Sequence, residues 1–413
     1  MAIVKPFKCI RPRQDLASKI AALPYDVYNR NEALEEVKKE PLSFLKIDRA
    51  ETQFDDSVDT YDERVYQRAH STLWGMIEEG LFEQDGKKCY YIYELTMAGR
   101  AQTGIVACAS IDDYENNIIK KHENTRADKE IDRINHVNIC NAQTGPIFLA
   151  YRSNEAINAV IEAVRQNAPV YDFTSDDGVR HAVWKIEEDS KINAVGDAFA
   201  AINDIYIADG HHRAASAVKV GKMRREANPG YTGEEEFNFF LSVLFPNDQL
   251  MILPYNRVVK DLNGLSRVEF LSRVGELFEI ENLGTKAYAP ESKGCFGMFL
   301  EKEWYKLAAH KNLLSEDPVE GLDVSILQNS ILAPILGIGD PRTDKRIDFI
   351  GGIRGLEELE KRAGSDMKLA FSMYPTSIDE LFAVSDANLL MPPKSTWFEP
   401  KLRSGLFIHS LSE

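Results

Sequence analysis

The chain has 413 residues, of which 44% are hydrophobic and 28% charged, and its formal net charge is -16. This composition is typical of a globular protein with roughly two or three domains, and it excludes a mainly disordered chain. The acidic balance argues against nucleic acid as a partner, because such a surface repels phosphate backbones.

The cysteines and the apolar runs limit where the protein works. Five cysteines are scattered along the chain, and none forms a CxxC pair. A disulfide framework or a structural zinc site built on cysteine is therefore not expected. No signal-peptide pattern opens the chain, and no apolar run reaches the roughly 18 residues that suggest a membrane span. We expect a cytoplasmic protein with no membrane partner.

The first predicted region, residues 1–118, mixes helices and strands. Asn31 is expected to cap a helix that ends before Pro41, and Gly80 is expected to end a longer one. Residues 89–114 alternate as two strands joined by a glycine-bearing turn.

The second predicted region, residues 119–232, alternates helix and strand. A helix is expected from Thr125, and a short buried strand follows at "GPIFLAY". The stretch "AFAAINDIYIADGHHRAASAVKVGK" then predicts helix, strand, tight turn and helix.

The third predicted region, residues 233–413, returns to strands at "FNFFLSVLFP" and "MILPYNRVV" and to a hairpin at "GCFGMFLEKEWYKLAA". No internal repeat is present. The sequence therefore predicts a mixed α/β fold in three regions.

The turn "ADGHHR" carries the strongest chemical signal, since the chain has no GxGxxG, P-loop, HExxH or GxSxG motif. Gly210 permits close backbone approach, and the helix that follows offers N–H groups and its dipole to an anion. The side chains around it suit phosphate and a metal ion: Asp209 as a Mg²⁺ ligand, His211 and His212 as donors, and Arg213 as a fork for two oxygens.

Other interpretations of this turn stay open on local evidence. Asp209 and Gly210 could form a plain turn, with the histidines as surface or capping groups. A zinc site made by His211 and His212 alone is disfavoured, because adjacent residues on a helix point about 100° apart.

A second cluster, "KKHENTRADKEIDR", places Glu123 before a helix, where a carboxylate can project into a cleft and act as a general base. Thr125 and Arg133 lie nearby in sequence. Taken alone, the segment fits a solvated helix start better, because charge runs usually face water.

Two further segments are ambiguous. "LPYDVYNRN" fits a plain turn after Pro24. "MPPKSTWFEPKLRSG" is a loop stiffened by proline, on which Lys394, Ser395 and Lys401 could serve an anionic ligand. A rigid surface loop explains the same residues equally well.

Eight ordered motifs carry a family resemblance: "PFKCIRP", "PYDVYNRNEA", "HENTRADKEIDR", "GPIFLAY", "IADGHHRAASA", "LPYNRVV", "LDVSILQNSIL" and "MPPKSTWFEPKLRSGL". From Pro6 to Leu411 the chain resembles the bacterial and archaeal domain-of-unknown-function family one-thousand-fifteen. Its middle part is similar to the ParB/sulfiredoxin-like fold, and the functional relatives it resembles are free-serine kinases of the ParB-like type.

The resemblance implies a kinase that uses ATP or ADP with Mg²⁺ to phosphorylate a small hydroxylated metabolite such as free L-serine, giving O-phosphoserine. It implies that Asp209 to Arg213 hold the nucleotide phosphates and the magnesium ion, and that Glu123 is the base on the substrate hydroxyl.

The chain departs from the relatives of this fold in ways that limit the analogy. It lacks the basic DNA-reading helices of ParB proteins, and no cysteine lies in the "ADGHHR" turn, where sulfiredoxin chemistry requires one. The alternative function is a ParB-like regulatory switch that binds CTP or ATP without phosphorylating a metabolite.

Overall fold

The computed structural model describes residues 1–125 and 127–412 and confirms the mixed α/β fold class. The strands are β1 Val4–Lys5, β2 Ile10–Pro12, β3 Phe82–Gln84, β4 Tyr90–Met97, β5 Arg100–Ser110, β6 Ile119–Lys120, β7 Ala142–Gln143, β8 Ile147–Tyr151, β9 Tyr171–Thr174, β10 Arg180–Ile186, β11 Ile205–Asp209, β12 Phe239–Pro246, β13 Ile252–Leu253, β14 Tyr255–Val259, β15 Phe278–Gly284, β16 Cys295–Leu300, β17 Glu303–Ala309, β18 Ile347–Gly351, β19 Leu369–Ser372, β20 Trp397–Phe398 and β21 His409–Ser410. The α-helices are α1 Ala17–Ile20, α2 Arg30–Lys39, α3 Leu45–Asp48, α4 Glu63–Glu78, α5 Ile111–Glu115, α6 Ala127–Cys140, α7 Glu155–Arg165, α8 Asp189–Ala200, α9 His211–Ala227, α10 Arg267–Gly275, α11 Asp323–Leu327, α12 Gly355–Ala363 and α13 Ile378–Asp386.

The chain forms two compact units. The first contains Met1–Leu250 and Pro400–Glu413, and the second contains Met251–Glu399. This division differs from the three regions expected from sequence. Strands on both sides of the predicted boundary after residue 118 pair in one sheet, and the C-terminal segment returns to that unit through the pairing of β21 with β7.

A nine-stranded mixed sheet forms the centre of the first unit. Its order is β6-β11-β8-β12-β5-β4-β10-β9, with β1 also paired to β5. The pairs β11–β6 and β12–β8 are parallel, and the others are antiparallel. The inner strands β8 and β12 are buried along their whole length, as their nearly uninterrupted apolar sequences require.

The segment around "ADGHHR" folds as predicted. Strand β11 ends at Asp209, Gly210 takes a left-handed conformation with φ 95° and ψ 31°, and α9 begins at His211. The strand, the glycine turn and the helix N-terminus are therefore confirmed as local structure.

Two predicted helix starts are wrong by a few residues. The cap of α2 is Asn29 rather than Asn31, because the Asn29 side chain accepts the Glu32 N–H while the Glu32 carboxylate accepts the Asn29 N–H. Helix α6 begins at Ala127 rather than at Thr125.

The second unit contains a six-stranded antiparallel sheet with the order β15-β17-β16-β19-β14-β18. The hairpin predicted at "GCFGMFLEKEWYKLAA" is formed by β16 and β17. Helix α12 packs on this sheet through buried Leu359, which belongs to an apolar cluster with Trp304 and Phe299.

Within residues 1–125 and 127–412, no helix is both long enough and apolar enough to cross a bilayer.

Candidate functional site

The turn between β11 and α9 is covered by its own arginine. A Cβ placed on Gly210 would lie 3.0 Å from Nη2 of Arg213 and 3.1 Å from its Cζ, so the guanidinium packs directly on the bare backbone. The Arg213 Nη1 group also donates a hydrogen bond to the Pro146 carbonyl. The turn thus joins helix N–H groups with one fixed positive charge.

Asp209 is an ionised carboxylate held by two partners. Its Oδ1 accepts the Gly210 N–H at 2.8 Å, and its Oδ2 accepts a hydrogen bond from Lys401 Nζ at 3.1 Å. Burial raises the pKa of Asp209, but the charges of Lys401 and Arg213 outweigh that effect and hold the pKa well below its usual range.

Glu123 and two histidines meet beside this turn. The Nδ1 atom of His211 lies 3.8 Å from Oε2 of Glu123, and the rings of His122 and His211 meet edge to face with centroids 4.5 Å apart. Each of the three residues offers a ligand atom, and these atoms all lie within 4.8 Å of one another. His122 and His211 are buried, whereas the Glu123 side chain is 44% exposed.

Both histidines are neutral at neutral pH. Burial is the main cause: it lowers the pKa of His122 to about 4 and, with help from the neighbouring His122, lowers the pKa of His211 well below its ordinary value. A neutral imidazole can accept a proton or bind a metal ion through its unprotonated nitrogen.

The other predicted residues of the first unit have different surroundings. The Thr125 hydroxyl donates to the Glu130 carboxylate. Arg133 is buried, pairs with Asp132 at 2.9 Å and lies over the Tyr25 ring at 4.1 Å. His212 is half-buried, and its carbonyl accepts the Ser216 hydroxyl.

Arg133 and Arg213 line one cavity, and Arg133 also lines a second one. The residues common to both cavities are Tyr25, Asp48, Arg133 and His136. Their lining carries charges of both signs, which is the property that a zwitterionic ligand requires.

Lys394 and Ser395 belong to the second unit. The Lys394 carbonyl accepts a hydrogen bond from Arg257, and the Ser395 hydroxyl donates to the Pro392 carbonyl. Lys401, on the same predicted loop, lies in the first unit and pairs with Asp209.

Sequence reasoning missed two contributors to this site. His122 directly precedes Glu123, so its imidazole was visible, but nothing local indicated that it would meet His211. For Tyr25 the sequence predicts a plain turn. It does lie in a short 3-10 turn, and its ring also lines the cavity that contains Arg213.

Several solved structures are similar to the chain at a distance. A free serine kinase in complex with AMP matches with 14% identity and a TM-score of 0.36, covering 74% of this chain and 91% of that one. A conserved hypothetical protein from Pyrococcus furiosus has 14% identity and a TM-score of 0.34, with coverages of 74% and 94%. SbnI with a C-terminal truncation, from Staphylococcus aureus, has 12% identity and a TM-score of 0.38, with coverages of 71% and 82%.

No protein with a curated description matches the chain significantly. The sequence pattern of the family described as "Protein of unknown function (DUF1015)" matches residues 4–325, which is most of the chain. The protein therefore belongs to the DUF1015 family.

Proposed function

We propose that the protein is a small-molecule kinase that transfers a phosphoryl group from ATP or ADP to the hydroxyl of a metabolite, with free L-serine as the acceptor. The observation that carries this proposal is the "ADGHHR" turn, where Gly210 and the start of α9 lie under the Arg213 guanidinium. Phosphoryl transfer needs mainly positioning and charge neutralisation, which such a turn can supply.

In this proposal the phosphates lie on the turn, against the first N–H groups of α9. Gly210, His211, His212 and Arg213 bind them, and Thr125 and Arg133 complete the nucleotide site. Lys394 and Ser395 remain proposed nucleotide contacts from the sequence motif. Glu123 takes the proton of the acceptor hydroxyl, since its carboxylate is half-exposed and lies 3.8 Å from Nδ1 of the buried His211.

Asp209 is the proposed ligand of a magnesium ion. The carboxylate is ionised, and Mg²⁺ commonly binds one or two carboxylates together with substrate phosphates. When bound, the ion would neutralise phosphate charge. Lys401, which now pairs with Asp209, would add a second positive charge near the phosphates.

The acceptor is proposed from the motif resemblance and from the charge of the cavity. Asp48 lies in the wall of this cavity and would face the free amine of an amino acid. Free L-serine has this amine and a primary hydroxyl.

The direct test is to incubate the purified protein with L-serine, Mg²⁺ and either ATP or ADP, and to follow O-phosphoserine by mass spectrometry. We expect product with at least one of the two donors. If neither donor gives product with L-serine or with other small alcohols, the kinase proposal fails.

The variant Glu123→Gln tests the catalytic step separately from nucleotide binding. Glu123→Gln should lower turnover by at least about 100-fold, the contribution typical of a general base, while nucleotide affinity persists. Glu115→Gln is the matched control, an exposed carboxylate that pairs with Lys222 away from the turn. Full turnover in Glu123→Gln would remove Glu123 as the base.

Arg213→Ala should weaken nucleotide binding by about tenfold or more, because a charge-assisted fork to phosphate is lost. Arg225→Ala is its control, since Arg225 lies in the last turn of the same helix and pairs with Asp112.

Calorimetry with the four nucleoside triphosphates tests the alternative function, a regulatory switch that binds a nucleotide without phosphorylating a metabolite. A preference for CTP with no dependence on an acceptor would favour a regulatory switch.

A further inference from the structure

His122 has one ring nitrogen that the protein leaves without a hydrogen-bond partner. The residue is only 2% exposed, and within the described part of the chain its Nδ1 atom has no partner. The ring does interact with the Ile207 carbonyl, and Nε2 is the remaining ring nitrogen that can make that bond. A buried polar atom without a partner costs free energy, so this nitrogen needs an explanation, and a bound ion would supply one.

The tautomer implied by these contacts is the one that metal-binding histidines adopt. A proton on Nε2, donated to a backbone carbonyl, leaves the lone pair of Nδ1 free to coordinate. Histidines that bind metal almost always donate their other N–H to a carbonyl, a carboxylate or water, which fixes the ring. The Ile207 carbonyl serves this purpose for His122.

Two other ligands stand beside that lone pair. The Nδ1 atom of His211 lies 3.8 Å from Oε2 of Glu123, its Nε2 atom accepts the His122 backbone N–H at 3.5 Å, and one ligand atom of each of the three residues lies within 4.8 Å of the other two. Coordination through Nδ1 would therefore require the ring proton of His211 to move from Nδ1 to Nε2. Ligands about 2.0–2.1 Å from a tetrahedral ion are roughly 3.3 Å apart. The three ligand atoms would therefore have to move closer together than the 4.8 Å limit to hold one ion.

We propose that His122, Glu123 and His211 form a binding site for a divalent transition-metal ion of the zinc class. Two imidazoles and one carboxylate are a ligand set of catalytic zinc sites and of other open first-row metal sites. They are not the all-oxygen set that Mg²⁺ prefers. The fourth position of the ion would be open to water or to a substrate oxygen.

The site has a consequence that rests on the proposed function. Glu123 cannot both bind the ion and take a proton from the acceptor, so Zn²⁺ would inhibit transfer by occupying the base. Binding of the metal itself does not depend on that function. The experiment therefore measures binding with neither nucleotide nor acceptor present.

The test is titration of the full, metal-stripped chain with Zn²⁺ against a chromophoric chelator and, in parallel, with Co²⁺ followed by its visible absorption. We expect one equivalent bound, with Co²⁺ bands typical of four or five ligands, and no competition from millimolar Mg²⁺. Glu123→Gln and His211→Gln should each weaken binding by at least about tenfold.

Glu123→Gln changes an exposed side chain, so its result does not depend on whether the buried-histidine variants fold. His70→Gln is the matched control: His70 also has an unpartnered buried Nδ1 among the described residues, but it lies outside the cluster. Binding equal to wild type in both cluster variants, or no stoichiometric binding at all, would overturn the proposal. A zinc-binding protein that makes no O-phosphoserine would leave the metal site standing and remove only the kinase.

Discussion

At the scale of single residues, the candidate site depends on a conformation that only glycine adopts at low cost. Gly210 has φ 95°, and the space where a Cβ would stand is filled by the Arg213 guanidinium. The sequence motif showed that close approach was possible there. It did not show that the first group to approach is an arginine of the same turn.

We predict that Gly210→Ala and Gly99→Ala lower the free energy of unfolding by a similar amount, about 1–2 kcal/mol each, because both glycines have left-handed backbones. Gly99 has open space around its Cβ position, whereas Gly210 meets Arg213. Nucleotide affinity should therefore fall only in Gly210→Ala. Urea unfolding and calorimetry measure the two effects, and equal nucleotide affinity in both variants would show that the position of Arg213 is unimportant.

At the scale of elements, helix α9 follows the turn and lies close to two other segments of the protein, at Phe237 and Ile111. A Cβ on Gly221 would stand 2.5 Å from the Phe237 carbonyl oxygen and 2.7 Å from Cδ1 of Ile111. Because glycine has no side chain, α9 can approach Phe237 and Ile111 this closely, and a residue with better helix propensity would not fit.

Two glycine-to-alanine changes inside helices should therefore have opposite signs. Gly75 in α4 has nothing within 4 Å of its Cβ position, so Gly75→Ala should stabilise the protein by about 0.5–1 kcal/mol through helix propensity. Gly221→Ala should destabilise it by about 1–3 kcal/mol through overpacking. Denaturant unfolding measures both, and a stabilised Gly221→Ala variant would contradict the packing described for α9.

At the scale of the whole molecule, neutral histidines in the interior link stability to pH. Burial lowers the pKa of His122 to about 4 and of His181 to about 3, and it lowers the pKa of His136 and His211 as well. In the unfolded chain a histidine titrates near about 6.5, so below that pH the unfolded state binds protons that the native state does not.

The free energy of unfolding should therefore be highest above about pH 6.5 and fall as the pH drops toward 4, by up to about 1.4 kcal/mol per pH unit for each such histidine. His181 is the best single probe, because Tyr93 holds Nδ1 at 2.7 Å while Ser175 and Arg403 hold Nε2 at 3.0 and 3.3 Å. Urea unfolding between about pH 7 and pH 5 should show that the free energy of unfolding depends less steeply on pH in His181→Gln, by up to about one proton near pH 5. An unchanged slope would mean that His181 is protonated in the folded protein.

The sequence by itself determined the local structure of this protein. The apolar run before Asp209, the glycine and the helix-forming residues after it were enough to predict strand, turn and helix, because these signals act between near neighbours. Capping was predicted less well, since Asn29 and Asn31 offer the same chemistry and only the backbone conformation chose Asn29. The mixed α/β class and the ordered motifs of the family were also present in the sequence.

The tertiary structure alone decided which side chains meet. His122 and His211 are 89 positions apart, and Lys401 reaches Asp209 across 192 positions. Periodicity and propensity carry no information over such separations. The pairing of β11 with β6 sets the two loops side by side, and burial then leaves the Nδ1 atom of His122 without a partner among the described residues. The "ADGHHR" turn was therefore predictable, and the three-residue cluster beside it was not.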